Sequence, residues 1–290
     1  MIIISHPNAK SYLAVMREVL EENESANSLM LGILLRLQEK VDTIEHPPFL
    51  RTTHDLDGLI TGAVFTPPNR PVLLYNDRTN YHDSIGMIAS DLIQHQWHPS
   101  GVLATHDIAA DFASSWSKSS SMKTELAMNE RLYECTHVRQ KGSANGELRL
   151  ARAEDLPLLI EWGIAFAKEC GLPETQEQAA GRLKDALSAA SAFIWEDGGI
   201  PVSMVLKTRP TRHTITISGV YTPPSLRSRG FASSAVGTLT KQLLESGYDV
   251  CTLFTDLSNP ASNAIYQRIG YVPVTDYAFY RFIPNIREEE

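Results

Sequence analysis

The alternation of apolar and polar residues predicts strands, helices and turns in a regular order along the second half of the chain. Residues 147–169 predict a short strand followed by a helix with Asp155 as its N-cap. The helix is predicted because apolar residues recur at helical spacing after Asp155. "SAFIWEDGGIPVSMVLK" predicts a hairpin that turns at residues 197–199. "HTITISGVY" alternates strictly and is rich in β-branched residues, so it predicts a strand from about His213 to Tyr221.

The pattern changes to helical spacing from about Gly230 to Ser246, where apolar residues share one face and a glycine follows. "DVCTLF" predicts a buried strand, "SNPASNAIYQRIGY" a short helix capped by Ser258 or Asn259, and "DYAFYRF" a strand that closes the domain. Strand, helix, strand implies a right-handed crossover between parallel strands. The loop before the first helix is therefore expected at the carboxyl end of a strand, where open α/β sheets bind ligands.

The N-terminal half repeats this order loosely. It predicts two strands, a helix and a further strand over residues 57–65, 70–77, 82–96 and 101–107, which indicates a weak internal duplication. Between the halves, residues 139–147 are rich in glycine, serine and asparagine and predict a boundary. We therefore expect an N-terminal domain over 1–140, a linker over 141–146 and a C-terminal domain over 147–290.

Composition narrows the class of protein. A hydrophobic content of 43% and a charged content of 21% are typical of a globular chain. The net charge of −8 argues against nucleic-acid binding and permits cationic or amine-bearing ligands. The three cysteines form no CxxC pair, so we expect a reducing, cytoplasmic location. No 18-residue apolar run occurs, and the apolar stretch at the N-terminus is too short for a signal peptide. We therefore expect no membrane association.

The stretch "SLRSRGFASS", residues 225–234, is the strongest candidate for an anion site. The N-terminus of a helix offers unpaired N–H groups and partial positive charge, and Gly230 allows an anion to approach the main chain closely. Arg227 and Arg229 add charge suited to phosphate oxygens. The alternative is an ordinary turn with two solvated arginines. Neither a Walker GxxxxGK[ST] nor a Rossmann GxGxxG motif is present.

Three motifs in this order resemble the GNAT superfamily of acyl-CoA-dependent N-acetyltransferases over about residues 147–283. The signature Q/R-x-x-G-x-G/A appears as Arg227, Gly230 and Ala232. "NPASNAIYQRIGY" is similar to the family's later motif of an asparagine cap, a helical tyrosine and a glycine followed by an aromatic residue. "RLARAEDLP" resembles the family's first strand and helix. Ser228 departs from the pattern, since the family often has a second glycine there.

The resemblance implies an α/β fold of two tandem GNAT-like domains, each a central mixed β-sheet flanked by helices, the N-terminal one being degenerate. It implies acetyl-CoA as co-substrate and direct attack on it by a primary amine, with a small-molecule acceptor expected. The amides from Ser228 to Ser233 would hold the CoA pyrophosphate, and the backbone of residues 220–222 the pantetheine arm and thioester. The implied cofactor-binding residues are Val220, Tyr221, Thr222, Arg227, Ser228, Arg229, Gly230, Phe231, Ala232, Ser233, Asn259, Asn263 and Tyr266.

Tyr266 resembles the family's general acid, which protonates the departing thiolate, and a tyrosine is a protonated donor at neutral pH. Its alternative role is core packing, and the alternative for Asn259 is a plain helix cap. The base is not identified, although Glu196, Asp197 and Asp256 are candidates through a water. His95 and His98 form an HxxH pair, but without a third ligand no metal is expected.

The duplicate loop in the N-terminal half carries Asp77 and Asp83 around a single Arg78 and has no glycine in the matching place. We therefore expect that this half has lost its anion site. Two further functions stay open, a non-catalytic acyl-CoA sensor and an acetyltransferase for protein amino groups. The sequence leaves the acceptor, the acyl chain length and the oligomeric state open.

Overall fold

The computed structural model describes residues 1–39, 46–76, 78–140, 142–171 and 174–285. Its first half contains β1 (Ile2–Ser5), α1 (Ala9–Glu22), α2 (Glu24–Glu39), β2 (Phe49–Asp55), β3 (Gly58–Phe65), β4 (Val72–Asn76), α3 (His82–Gln94), β5 (Gly101–Thr105), α4 (His106–Ser119) and β6 (Met122–Cys135). Its second half contains β7 (Glu147–Leu150), α5 (Leu156–Glu169), α6 (Gln176–Ser188), β8 (Ala192–Asp197), β9 (Ile200–Thr208), β10 (Thr214–Tyr221), α7 (Phe231–Glu245), β11 (Val250–Asp256), α8 (Pro260–Ile269) and β12 (Val272–Pro284). The two halves have the same order of elements, as the internal duplication predicts.

The chain divides into two compact units. Unit 1 comprises Met1–Leu132, Asp256–Ser258 and the chain from Val274 on, and unit 2 comprises Tyr133–Thr255 and Asn259–Pro273. The long strands β6 and β12 therefore contribute residues to both units. Each unit is an α/β structure with a mixed sheet.

The sheet of unit 1 has the order β1-β2-β3-β4-β5-β12-β6. The closing strand predicted over "DYAFYRF" forms, but it pairs antiparallel with β5, with Tyr277 opposite Thr105. Its residues therefore belong to unit 1 and not to the domain expected over 147–290. Packing accounts for this placement, because Phe282 stacks on Trp116 of α4 with ring centroids 4.7 Å apart.

The residues expected to form a linker pack against unit 2. The Ala144 N–H donates to Ser234 Oγ at 3.1 Å, and Trp195 Nε1 donates to the Asn145 carbonyl at 2.9 Å. Gly142 lies so close to Ser234 that a Cβ at Gly142 would stand 2.4 Å from the Ser234 nitrogen. Gly142 and Ala144 thus lie against Ser234 in the first turn of α7, and Asn145 and Gly146 lie against β8. Lys141 lies outside the described residues.

Unit 2 has three layers around the sheet order β6-β11-β10-β9-β8-β7, of which β6 contributes its end from Tyr133. Successive residues of a strand face opposite sides, so Met204 packs with α5 and α6 while Val205 packs with α7 and α8. The helices α5 and α6 therefore cover one face of the sheet, and α7 and α8 cover the other.

Local signals in unit 2 form as expected, with one exception. The hairpin turns at Gly198 and Gly199, which both have positive φ, and Asn259 caps α8 by accepting the Ser262 N–H at 3.0 Å. Asp155 does not cap α5 with its side chain. Its carboxylate instead accepts the Arg152 N–H at 2.7 Å and pairs with Arg149, because the chain makes a 3₁₀ turn before α5 begins.

Several elements lie where the sequence analysis assigned none: β1, β2, α1, α2, α4, α6 and β6. The start of α6 carries a capping box, in which Thr175 and Gln178 exchange side chain to backbone hydrogen bonds. The start of α1 is likewise capped by Asn8. These local signals could have located both helices from the sequence.

Among the described residues, no helix combines the length and the apolar character needed to cross a membrane. None of the three cysteines forms a disulfide in this part of the chain. No cluster of three or more histidine, cysteine, aspartate or glutamate side chains suited to a metal ion occurs among the residues described.

Candidate functional site

A crevice opens between β10 and β11. The two strands pair in parallel only where Thr214–Thr216 face Val250–Thr252. Farther along, β10 carries a bulge between Ser218 and Tyr221, and Gly219 within it has a φ of +57°. A bulge bends the strand that carries it, so the end of β10 diverges from β11. Main-chain groups at the end of β10 are thereby left facing the gap.

The loop at the carboxyl end of β10 presents a helix N-terminus. Gly230 is the N-cap of α7 with a φ of +82°, and no side chain caps this helix. The first helical bond runs from the Ser234 N–H to the Gly230 carbonyl at 3.0 Å, so the amides of Phe231, Ala232 and Ser233 have no partner within the helix. This arrangement provides the amides that an anion site needs.

The two arginines of this loop differ in their surroundings. Arg227 Nη2 lies 2.7 Å from both carboxylate oxygens of Glu169, and its Nε donates to the Thr222 carbonyl at 2.9 Å. Arg229 is exposed and forms no ion pair with a described residue. The charge of Arg227 is thus paired with a carboxylate at the end of α5, and contact of both arginines with an anion stays a prediction.

Tyr266 lies on α8 in the apolar cluster beneath α7. Its side chain is 8% exposed and packs edge to face against Tyr271 with ring centroids 6.0 Å apart. Its hydroxyl forms no hydrogen bond to any described residue. Burial raises the pKa of Tyr266 to about 12, and the Cys170 thiol adds to this rise. The side chain is thus a neutral phenol with a donor hydrogen available at physiological pH.

The two asparagines of the second motif have structural partners. Asn259 Oδ1 caps α8, which is the alternative role considered for it. Asn263 Oδ1 accepts from the Tyr133 hydroxyl at 3.0 Å, and its Nδ2 donates to the Asn259 carbonyl at 2.7 Å. Both residues thus hold the start of α8 in place.

The end of β10 is supported by residues that the sequence analysis did not single out. Ser203, fully buried on β9, donates from Oγ to the Tyr221 carbonyl and lies 2.9 Å from Thr222 Oγ1. The Tyr221 ring packs against Trp162. Burial is the main cause that raises the pKa of Tyr221, and the nearby Glu169 carboxylate raises it further. A serine in a strand carries no local signal, so only the fold shows what Ser203 contacts.

The side chains considered as bases have other partners. Glu196 accepts from Arg149 Nε at 2.6 Å, and Asp256 accepts the Ser258 N–H at 2.7 Å. Asp197 ends β8 at the hairpin turn. His95 Nδ1 lies 2.9 Å from the Asp91 carbonyl on its own helix, and no metal cluster forms around it within the described residues.

The matching loop of unit 1 is built differently. The residue before α3 is Tyr81 in the right-handed helical conformation, and Asp83 stands in the first turn. Arg78 Nη2 donates to the Asp57 carbonyl at 2.9 Å and its Nη1 lies 3.3 Å from Asp55. Asp77 lies outside the described residues. This loop thus has neither the left-handed glycine nor the second arginine of its counterpart.

The helix α4 also lacks the phenol of α8. Tyr266 stands seven residues after the N-cap Asn259, and the residue at the same position of α4, counted from the N-cap Thr105, is Phe112. Phe112 is fully buried. The N-terminal half therefore has no hydroxyl at this position.

Comparison with known proteins finds a family match for part of the chain. The model of the acetyltransferase (GNAT) family matches residues 158–271, which include the loop before α7 and Tyr266. Among curated proteins, no sequence matches this chain.

Solved structures match over almost the whole chain. A GNAT-family acetyltransferase from Colwellia psychrerythraea is 11% identical with a TM-score of 0.60, over 98% of this chain and 100% of that chain. A GCN5-related N-acetyltransferase from Sphaerobacter thermophilus is 15% identical with a TM-score of 0.62. The match covers 96% of this chain and 95% of that chain. A tandem GNAT protein from the clavulanic acid biosynthesis pathway is 10% identical with a TM-score of 0.57, over 97% of both chains. At these identities the likeness concerns the fold.

Residues 158–271 are therefore similar to the GNAT family, and the fold of the chain is similar to that of a tandem GNAT protein. The match supports acyl-CoA-dependent acetyl transfer as the general reaction, since proteins of this family use acetyl-CoA as co-substrate.

Proposed function

We propose that unit 2 is an N-acetyltransferase that moves the acetyl group of acetyl-CoA to a primary amine of a small molecule. The observation that carries this proposal is the uncapped N-terminus of α7 at the mouth of the crevice between β10 and β11. The residues present fit CoA, because the free amides and Arg229 suit its phosphates and the crevice suits its extended pantetheine arm.

Each part of the site has a role in this proposal. The amides from Ser228 to Ser233, with Arg229, hold the pyrophosphate. The backbone of Val220, Tyr221 and Thr222 binds the pantetheine arm and the thioester. Arg227 maintains the loop through Glu169, and Asn259 and Asn263 shape the start of α8 beside the arm.

The reaction is a direct acyl transfer. The amine nitrogen attacks the thioester carbonyl carbon, the C–N bond forms, the C–S bond breaks, and the amine loses one proton. Burial raises the pKa of Tyr266 to about 12, so its phenol keeps its proton at physiological pH. We propose that its hydroxyl donates a hydrogen bond to the departing sulfur and that the proton lost by the amine completes the thiol.

The charge of the chain supports an amine as the acceptor. The chain carries a net charge of −8, and the carboxylate of Glu161 lies near enough to the end of β10 to act on Tyr221. An acidic surrounding favours the approach of a cationic amine. Screening polyamines, aminoglycosides, amino acids and peptides for thiol release from acetyl-CoA tests this class, and turnover with lysine peptides alone would instead favour a protein substrate.

Ala232→Asp tests the phosphate site directly. A carboxylate in the first turn of a helix stabilises it, so the variant keeps its fold, but the added negative charge opposes a bound pyrophosphate. We expect calorimetric titration with CoA to show affinity lowered by more than about tenfold, which is about 1.4 kcal/mol.

The matched control is Ala232→Asn, which has nearly the same shape without the charge and should keep most of the affinity. Equal CoA binding by the aspartate variant and the wild type would place the phosphates elsewhere.

A further inference from the structure

The last turn of α5 brings a cysteine close to the end of β10. The Cys170 N–H donates to the Phe166 carbonyl at 2.9 Å, so the helix fixes the main chain of this cysteine. The preceding residue, Glu169, lies 2.7 Å from Arg227 Nη2, and Arg227 Nε donates to the Thr222 carbonyl at 2.9 Å. Cys170 is therefore next in the chain to a series of contacts that ends on the backbone of the proposed thioester site.

The side chain of Cys170 lies near the hydroxyl of Tyr266. The thiol is close enough to this phenol to add to the rise in its pKa. Tyr266 is only 8% exposed, and its hydroxyl forms no hydrogen bond with a residue that the structure describes. Buried hydroxyls in folded proteins normally have a partner, which can be a bound molecule. A thiol from α5 and a hydroxyl from α8 thus lie beside a position suited to a ligand.

The three cysteines of the chain differ in their access to solvent. Cys135 is 1% exposed and Cys251 is not exposed, and their thiols donate to the main-chain carbonyls of His137 and Thr240. Burial raises the pKa of both thiols, and only a thiolate attacks a disulfide readily. Cys170 is half-buried and therefore accessible. The two buried cysteines serve as internal controls for any modification of Cys170.

We propose that Cys170 is a site of covalent modification by CoA, through a mixed disulfide with the sulfur of the pantetheine arm. This inference rests on the proposed function, which places the CoA sulfur at the Tyr266 hydroxyl. A disulfide of CoA is the reactant, bound in the crevice through one of its two CoA halves. Binding sets its sulfur beside the cysteine, so the exchange is effectively unimolecular.

The exchange balances without a further oxidant. The Cys170 thiolate attacks the sulfur of the bound half, the new S–S bond forms, and the S–S bond of the CoA disulfide breaks. The second CoA leaves as a thiolate and takes up the proton that Cys170 lost. The tethered CoA then fills the cofactor site and excludes acetyl-CoA. Acetyl transfer is thereby switched off until a thiol reductant releases the CoA.

Mass spectrometry of the native protein incubated with CoA disulfide tests the proposal. We expect one CoA per chain, mapped by peptide analysis to Cys170, removed by dithiothreitol, and absent from Cys135 and Cys251. Cys170→Ser should take up no CoA. Desulfo-CoA keeps the phosphates and the arm but lacks the sulfur, and it should slow the labelling about tenfold at ten times its dissociation constant.

The rates of labelling show whether the cofactor site directs the reaction. Ala232→Asp, which opposes the pyrophosphate, should slow labelling of Cys170 by CoA disulfide as much as it lowers CoA affinity, by more than about tenfold. Hydroxyethyl disulfide carries no phosphate and should label wild type and variant at the same rate. Ala232→Asn, which adds no charge, should keep most of the rate with CoA disulfide.

The outcomes separate this inference from the proposed function. If calorimetry shows no binding of CoA to the wild type, the proposed function itself fails. If CoA binds but Ala232→Asp slows labelling by neither disulfide, Cys170 reacts without help from the cofactor site and the inference is wrong. The inference is also wrong if CoA binds and the CoA adduct is absent, or if it forms equally in Cys170→Ser.

Discussion

At the scale of single residues, the loop before α7 shows what a departure from the family pattern means physically. Ser228 has a φ of +63° and Gly230 a φ of +82°, so both residues adopt the left-handed conformation. For a residue with a side chain this conformation costs about 1–2 kcal/mol, and glycine adopts it freely. The serine at 228 therefore adds strain to the loop while leaving its amide in place.

Tyr266 gives a prediction at the same scale. Removing its hydroxyl in Tyr266→Phe removes the proposed donor to the leaving sulfur, and we expect kcat to fall by about a hundredfold, as for other positioned donors. Acetyl-CoA affinity should stay close to that of the wild type. Steady-state kinetics with an amine acceptor found by screening, together with calorimetry, measures both effects.

The pH profile provides the control for this prediction. Because burial raises the pKa of Tyr266 to about 12, its ionisation should cause no loss of wild-type activity between pH 7 and 10. Wild-type turnover by Tyr266→Phe would show that the phenol only packs in the core.

At the scale of secondary structure elements, one arginine connects three parts of unit 2. Arg149 of β7 lies 2.7 Å from Asp155 in the turn before α5 and 2.6 Å from Glu196 of β8. Hydrogen bonding to Arg149 is the main cause that lowers the pKa of Asp155, although burial opposes it. The side chain of Asp155 is only 7% exposed, so this pair is shielded from solvent. The start of α5 is thereby held against the edge of the sheet.

Asp155→Asn should lower the free energy of unfolding of unit 2 by about 2–3 kcal/mol at pH 7, because it breaks a charge-assisted pair in a buried place. A carboxylate whose folded pKa is depressed stabilises the fold above its unfolded pKa, and this stabilisation is lost as the pH falls through the folded pKa. The difference between variant and wild type should therefore shrink below about pH 4. Urea unfolding of both proteins at several pH values measures this difference in the free energy of unfolding.

Glu154→Gln is the matched control for this prediction. Glu154 is the neighbouring acid, its side chain is 73% exposed, and its pair with Arg152 spans 3.5 Å. The change should have an effect of less than about 0.5 kcal/mol. Equal effects of the two substitutions would contradict the special role of the pair between Arg149 and Asp155.

At the scale of the whole molecule, the two halves have the same order of elements but different side chains at the matching positions of the site. The N-terminal half has Asp83 in the first turn of α3, an engaged Arg78 and Phe112 in place of a tyrosine. A carboxylate at a helix start opposes a bound diphosphate. We propose that this half is a degenerate GNAT domain that binds no CoA.

Titration with CoA should therefore give one site per chain, and Ala232→Asp in unit 2 should weaken all of the observed binding. Binding to the wild type that fits two equivalent sites, or tight residual binding in Ala232→Asp, would show that the N-terminal half retains a working cofactor site. Calorimetry at known active protein concentration makes this measurement.

Local features of the chain could be predicted from its sequence because they depend on neighbours. Strand alternation located β10, the two glycines located the hairpin turn, and Asn259 with Pro260 located the start of α8. The family signature located the loop before α7 for the same reason, since its residues are adjacent along the chain.

Long-range contacts were decided only by the tertiary structure. Arg227 can be read from the sequence, but its partner Glu169 lies far away along the chain, at the end of α5. The strand β12 was predicted, but its pairing with β5 was not, because an alternating pattern does not name the strand it will pair with. The burial that raises the pKa of Tyr266 and the bond from Ser203 to the Tyr221 carbonyl likewise exist only once the layers have packed. The sequence by itself determined most elements of the second half and the motifs that resemble the GNAT family, and tertiary packing determined which polar groups are occupied and which face the crevice.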